Sequence, residues 1–259
     1  MDDAMRPVAF FDSGLGGISV LRAARRVLPF ENYVYYGDSA NAPYGTRPPE
    51  EIRTLAMAVT EKVLALGAKA VVVACNTATG EAVDAMRARW PEVPIIGVEP
   101  AIKPAAEAHP GGTVLVLATP MCVKSRRFLE LQRRFSRETR VIPVPCPGLM
   151  EFVERGELDS PALRAYLDER LAPWRGQRID AAVLGCTHYP FLRAAITAAL
   201  PPETELIDGN AGITAQLCRR LDEHGLRNPG PHPGEVRFFN SLGTEEILRL
   251  SRQLLALPE

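Results

Sequence analysis

Two short apolar runs in this sequence stop at a cysteine, and they constrain the fold more than any other feature. One is Val71-Val72-Val73-Ala74-Cys75-Asn76-Thr77-Ala78 and the other is Ala182-Val183-Leu184-Gly185-Cys186-Thr187-His188-Tyr189. In each, β-branched and small apolar residues lead to a cysteine, a polar pair follows, and helical patterning begins. A buried parallel strand opening into a helix reads this way. Each cysteine is therefore expected at a strand's carboxyl end, on the rim where open α/β sheets bind ligands. Two such corners point to one site with a thiol on either side.

The rest of the chain repeats the strand-helix alternation. Strands are expected over 8–11, 33–36, 71–73, 95–98, 113–118, 141–144, 181–185, 205–208 and 236–239. Pro143 marks its strand as an edge strand, since proline cannot donate to a ladder. Helices are expected from 18 to 28 (apolar positions Ile18, Leu21, Val27 and Leu28), over 50–66 with Gly67 as C-cap, and from the first cysteine to about 90. Further helices are expected over 122–135, 161–171, 211–224 and 244–255, and from the second cysteine to 200. The segment 151–157 is short and acidic. This alternation predicts a parallel α/β architecture, either as two related doubly wound lobes or as a single barrel of eight β-α units.

Composition excludes several functions. A formal net charge of −1 argues against a nucleic-acid-binding surface. No apolar run reaches the roughly 18 residues of a membrane span. The acidic start, Met1-Asp2-Asp3, running into a strand does not read as a signal peptide, so a cytoplasmic protein is expected. The five cysteines are widely spaced, with no C-x-x-C pair. Free thiols are expected rather than a disulfide framework. Cys218, Cys122 and Cys146 read as small buried hydrophobes.

Cys75 and Cys186 read differently. Each precedes an expected helix N-terminus, where orphan N–H groups and the helix dipole favour thiolate. Asn76, Thr77 and Thr187 are capping residue types that can also hydrogen-bond a carboxylate or an amine. Two facing thiols suit the inversion of a carbon centre: one removes a proton and the other returns one to the opposite face. A cysteine hydrolase with His188 as base is a second reading. Zinc on Cys186 and His188 is disfavoured by the tight C-x-H spacing, and a redox dithiol by the lack of an adjacent pair. The loop Asp12-Ser13-Gly14-Leu15-Gly16-Gly17 lacks the nucleotide-binding fingerprints. It is expected to be either a carboxylate-holding backbone nest or a tight turn needing positive φ.

Taken together, Phe11-Asp12-Ser13-Gly14-Leu15-Gly16-Gly17, Gly37-Asp38 with Pro43-Tyr44-Gly45, Ala74-Cys75-Asn76-Thr77, and Gly185-Cys186-Thr187-His188-Tyr189-Pro190 resemble the motifs of the cofactor-independent aspartate/glutamate racemase family, in the family's order. Gly97-Val98-Glu99-Pro100 and Leu206-Ile207-Asp208 are further points of similarity. The resemblance implies two α/β lobes with the site in the cleft between them, one from 1–98 plus 208–259 and the other from 99–207. It implies that Cys75 exchanges a proton with D-glutamate and Cys186 with L-glutamate, assisted by Asp12 and His188 respectively. Asp12, Ser13, Tyr44, Gly45, Asn76, Thr77, Thr187 and His188 would hold the substrate. Asp38 and an acid after Cys146-Pro147 also belong to the family's site; by counting, that acid is Glu154, with Glu151 as second choice. No cofactor and no metal are implied. The implied product is D-glutamate for peptidoglycan, and a homodimer is open as the assembly state. Thr79 stands where relatives often have Ser, and Cys122 where they commonly have Thr. The rival readings are a racemase of aspartate or another amino acid, the hydrolase, and an inactive amino-acid-binding protein.

Overall fold

The structure, a computed structural model, describes residues 3–258. Strand β1 (Val8–Asp12) leads to helix α1 (Ile18–Val27), β2 (Tyr33–Gly37) to α2 (Pro49–Ala65), β3 (Ala70–Val73) to α3 (Asn76–Arg89), and β4 (Ile95–Gly97) to α4 (Ile102–Ala108). The alternation resumes with β5 (Thr113–Ala118), α5 (Pro120–Lys124), α6 (Arg126–Phe135), β6 (Arg140–Pro145), α7 (Leu149–Glu154) and α8 (Pro161–Leu171). Strand β7 (Ala181–Leu184), α9 (Arg193–Ala199) and β8 (Glu205–Ile207) follow, and α10 (Asn210–Glu223), β9 (Val236–Asn240) and α11 (Glu245–Ala256) complete the course. These elements gather into two compact units. One holds the residues up to Val98 together with those from Asn210 onward, and the other is Glu99–Gly209.

Each unit is built on its own open parallel sheet, ordered β4-β3-β1-β2-β9 in the first and β6-β5-β7-β8 in the second. Every pairing in both is parallel. Open sheets with edge strands exclude the barrel. Within each unit the first strand is followed by a neighbour on one side, and the chain then crosses to the other side. The order β4-β3-β1-β2 is thus the same topology as β8-β7-β5-β6, with β9 added outside β2. The crossing creates a switch point between β1 and β3, and again between β5 and β7. The carboxyl ends at such a reversal part to leave a ligand-binding crevice. Cys75 follows β3 and Cys186 follows β7.

The central strands are largely apolar runs because both faces are covered. Strands β1, β2, β3 and β7 are buried along their whole length. Ala9, Phe11, Val34, Val71 and Val73 pack with Ile52, Ala56 and Val63 of α2 and Ala78, Ala82 and Met86 of α3. In the second unit Val114, Val116, Ala181 and Val183 pack with Ile102, Ala105 and Phe128. Pro143 lies on the edge strand β6, paired only with β5, where its missing N–H breaks no ladder. At the amino ends of the first sheet, Lys69 Nζ meets Glu31 Oε2 at 2.5 Å with both side chains almost fully buried. Glu31 Oε1 accepts from the Asn228 backbone N–H at 2.8 Å, which ties the returning segment to the first sheet.

Several sequence expectations are corrected. The single helix over 122–135 is two, α5 and α6, because Ser125 is extended (ψ 148°) and its hydroxyl caps α6 by accepting from the Phe128 N–H. Val27 faces solvent at 58% exposure rather than the core. The segment after Cys186 is not an α-helix at first: a 3₁₀ turn, Tyr189–Leu192, precedes α9. Pro190 has no N–H to bond back to the Cys186 carbonyl, which instead accepts from the Tyr189 N–H at 3.0 Å. No helix among the described residues is long and apolar enough to cross a membrane.

Candidate active site

In the first unit, the Ala74 N–H donates to the Phe11 carbonyl, extending the pairing of β3 with β1 by one residue. Cys75 then takes extended angles and becomes the N-cap of α3, its sulfur accepting from the Ala78 N–H at 3.4 Å. Its thiol donates to Ser13 Oγ at 3.7 Å, and the Ser13 hydroxyl donates to Asp12 Oδ1 at 3.1 Å. A line thus runs from thiol through hydroxyl to carboxylate. Asp12 is completely buried and also accepts from the Gly14 N–H at 3.2 Å. The loop's glycines do not serve a positive φ, since 14, 16 and 17 all lie outside that region. Gly17 is needed for closeness: a Cβ there would lie 2.8 Å from Ala74 Cβ and 3.0 Å from Asp12 Cβ.

Beside this line, the Tyr44 hydroxyl donates to Asp38 Oδ2 at 2.7 Å, and Asn41 Nδ2 lies 3.1 Å from each Asp38 oxygen. Burial first, then the bond to Asp38, pushes the Tyr44 phenol far above its ordinary value, so it stays a donor. Gly45 adjoins it in the 3₁₀ turn Tyr44–Thr46. Asn76 and Thr77 form the first turn of α3, and Asn76 Oδ1 is buried with no hydrogen-bond partner among the described residues. A buried acceptor left open costs about 1–3 kcal/mol. An acceptor so placed can take a hydrogen bond from a bound donor.

The second unit builds its corner from different parts. The Gly185 N–H donates to the Leu117 carbonyl, as Ala74 does to Phe11, but here a Cβ would sit 2.8 Å from that carbonyl. Cys186 occupies the bend that follows, with Thr187 buried next to it. His188 is buried, its Nδ1 3.6 Å from Cys186 Sγ and its Nε2 2.6 Å from Glu154 Oε1. Burial alone would lower its basicity. The hydrogen bonds to Cys186 and then to Glu154 outweigh that and hold the imidazole well above its usual 6.5. The imidazole thus stands within reach of a sulfur on one side and a carboxylate on the other.

Of the two acids weighed from sequence, Glu154 is therefore the one bonded to His188. Glu151 Oε2 is buried without a partner among the described residues. Cys122 is buried, and burial first of all pushes the Cys146 thiol up to about 12, which disfavours its thiolate. No group of three His, Cys, Asp or Glu among the described residues is disposed to hold a metal ion. Sequence reasoning missed Asn41, the partner of Asp38, although it lies in the same loop. It also missed the tyrosines around Cys146, of which Tyr189 stands inside a quoted motif and Tyr166 carries no local signal.

Comparison with known proteins places the chain in a family. The Asp/Glu/Hydantoin racemase family profile matches residues 18–217. The glutamate racemase of Clostridium perfringens is 44% identical over 251 residues, 97% of this chain and 96% of that protein. That of Clostridium botulinum is 42% identical, covering 98% and 99%. Among solved structures, Escherichia coli glutamate racemase in complex with L-glutamate and the activator UDP-MurNAc-Ala superposes with a TM-score of 0.84 at 31% identity, over 96% of this chain and 95% of that one. Francisella tularensis glutamate racemase in complex with D-glutamate gives 0.83 at 27% identity, over 98% and 95%. This chain belongs to the Asp/Glu/hydantoin racemase family.

Proposed function

We propose that this chain interconverts L- and D-glutamate without a cofactor, using Cys75 and Cys186 as the two acid-base groups. The observation that carries the proposal is the recurrence of one topology with a cysteine after the equivalent strand, β3 and β7, at each switch point. Glutamate as substrate rests on the relatives, which are glutamate racemases over nearly the full chain. The chain is an isomerase of the amino-acid racemase class.

In the proposed reaction, the Cys186 thiolate takes the α-proton of L-glutamate while the Cys75 thiol gives its proton to the opposite face. The reverse direction exchanges the roles. One S–H and one C–H bond form as one of each breaks, so no electron acceptor is needed. His188, held by Glu154, is proposed to assist Cys186 through their direct contact. Ser13 links Cys75 to Asp12, which can draw the thiol proton through the hydroxyl. Asn76, Thr77, Thr187, Tyr44, Gly45 and Asp38 are proposed to hold the substrate's ammonium and carboxylates, donors to the carboxylates and acceptors to the ammonium. D-Glutamate for peptidoglycan, a cytoplasmic location and a homodimeric state go with this reading as proposals.

A second reading has one observation in its favour: sulfur, imidazole and carboxylate stand in line at Cys186, His188 and Glu154, as in cysteine hydrolases. The test is a time course of L-glutamate with the purified chain in deuterated water, followed by proton NMR and circular dichroism. Loss of the α-proton signal with decaying ellipticity at unchanged chemical identity supports racemisation, and a parallel run with aspartate fixes the substrate. A hydrolase would change the substrate's mass, and a folded protein that leaves both amino acids unexchanged refutes the proposal.

A further inference from the structure

The contact between Glu154 and His188 joins residues 34 positions apart, on two different elements. Helix α7, which carries Glu154, is short, and its N-cap Gly148 is left-handed (φ +83°) and offers no side-chain cap. Six residues of helix have little stability of their own. Something outside the helix must fix where Glu154 lies.

Two tyrosines from separate elements meet the start of this segment. The Tyr189 hydroxyl donates to the Cys146 carbonyl at 3.3 Å, and the Tyr166 hydroxyl donates to the Pro147 carbonyl at 2.8 Å. The two carbonyls are consecutive, and the first also accepts from Leu149 N–H at 3.4 Å as α7 begins. Tyr189 directly follows His188 and is fully buried. Tyr166 belongs to α8, and its ring lies 6.0 Å from that of Phe152 on α7. We propose that Tyr189 and Tyr166 are positioning residues: their hydroxyls clamp consecutive carbonyls at the entrance to α7 and so hold Glu154 against His188.

The chemistry of the phenols suits this role. Burial is the first cause that raises both above the ordinary tyrosine value, Tyr166 to about 12 and Tyr189 well above its usual value, so both stay protonated donors near neutrality. Tyr189 couples the clamp to the catalytic turn, because its own N–H bonds the Cys186 carbonyl. One residue therefore touches both the turn that presents the thiol and the segment that presents the acid. The inference concerns the Cys186 corner of the proposed racemase and rests on that reading for its kinetic consequence alone.

The test uses the full chain with Tyr189→Phe and Tyr166→Phe, each removing one hydroxyl. There are only four histidines, so the nitrogen resonances of His188 can be assigned with a His188→Asn variant and titrated by NMR. The clamp is expected to show itself as a fall in the proton affinity of His188 by about ten-fold in either variant. A drop in kcat of roughly three- to ten-fold, the worth of one neutral hydrogen bond, should accompany it with KM little changed. Variants that keep the wild-type His188 titration and kcat while losing only thermal stability would overturn the proposal and leave the tyrosines as packing. If Tyr189→Phe does not fold, Tyr166→Phe decides by the same readings. A shifted titration in a chain that racemises nothing would uphold the clamp and refute the proposed function, so the two fail separately.

Discussion

The two cysteine corners share a topology and almost nothing else. Cys75 caps an α-helix, accepting from a backbone N–H and donating to a serine hydroxyl, with Asp12 beyond. Cys186 precedes a 3₁₀ turn and is met by a buried imidazole bonded to a part-buried carboxylate. Equivalent positions in equivalent sheets thus set a thiol beside different partners, a helix N-terminus in one and an imidazole in the other. The same contrast holds for two ion pairs. Lys69–Glu31 lies at the amino ends of the first sheet, far along the strands from Cys75, whereas His188–Glu154 lies at the carboxyl ends of the second, beside its thiol. We propose that the first pair serves stability and the second the chemistry.

The largest effect expected is from Cys75→Ala or Cys186→Ala. Each should lower racemisation by roughly 10²–10⁴-fold, the worth of a positioned acid or base. Since the enantiomers are equal in energy, kcat/KM must fall equally in both directions in any variant. The corners can be separated only through kcat, KM and isotope labelling. Activity that survives Cys75→Ala at near wild-type level would break the equivalence.

Next is Lys69→Met, which leaves Glu31 buried without its cation. Urea unfolding should show a loss of about 3–5 kcal/mol, while the activity of the protein that remains folded is unchanged. Glu154→Gln should show the opposite balance, with the main loss in kcat. Equal stability losses in the two variants would contradict the assignment of one pair to structure and the other to catalysis.

The pH dependence separates the corners further. His188 has a raised folded-state pKa, so the folded protein holds its proton more tightly than the unfolded chain. The resulting stability is fully present below the ordinary value near 6.5 and is lost as pH rises through the raised one. Unfolding free energy measured against pH should decline across that window in the wild type and decline less in Glu154→Gln. The smallest effect is expected at Thr79, whose hydroxyl donates to the Val73 carbonyl and accepts from the Val98 N–H. Thr79→Val should cost about 1–3 kcal/mol by orphaning that N–H, and Thr79→Ser less, because only the methyl against Gly97 is lost.

The parts of this account legible in the sequence are those that depend on neighbours along the chain. Strands buried on both faces must be continuous apolar runs, so 71–73 and 182–184 stand out, and a polar side chain at their ends has nowhere to go but the rim. Pro143 announced an edge for the same local reason. The 3₁₀ turn after Cys186 was legible in principle, because Pro190 cannot complete an α-helical bond there. The break at Ser125 was not, since a serine within a charged helical pattern gives no sign that it will turn outward and cap. Glu154 came only through family resemblance, and Tyr166 not at all. Both act on residues distant in the chain, and no local periodicity encodes such a partnership.

The most direct test of two thiols acting from opposite sides is the position of the label early in the reaction. Wild-type protein is given protonated L-glutamate in deuterated water, and both enantiomers are separated after a few per cent conversion. Two monoprotic bases should give D-glutamate carrying deuterium at the α-carbon while the remaining L-glutamate keeps its proton. D-Glutamate that retains the original proton, or L-glutamate labelled as fast as product forms, would mean that a single base serves both faces and would contradict the account.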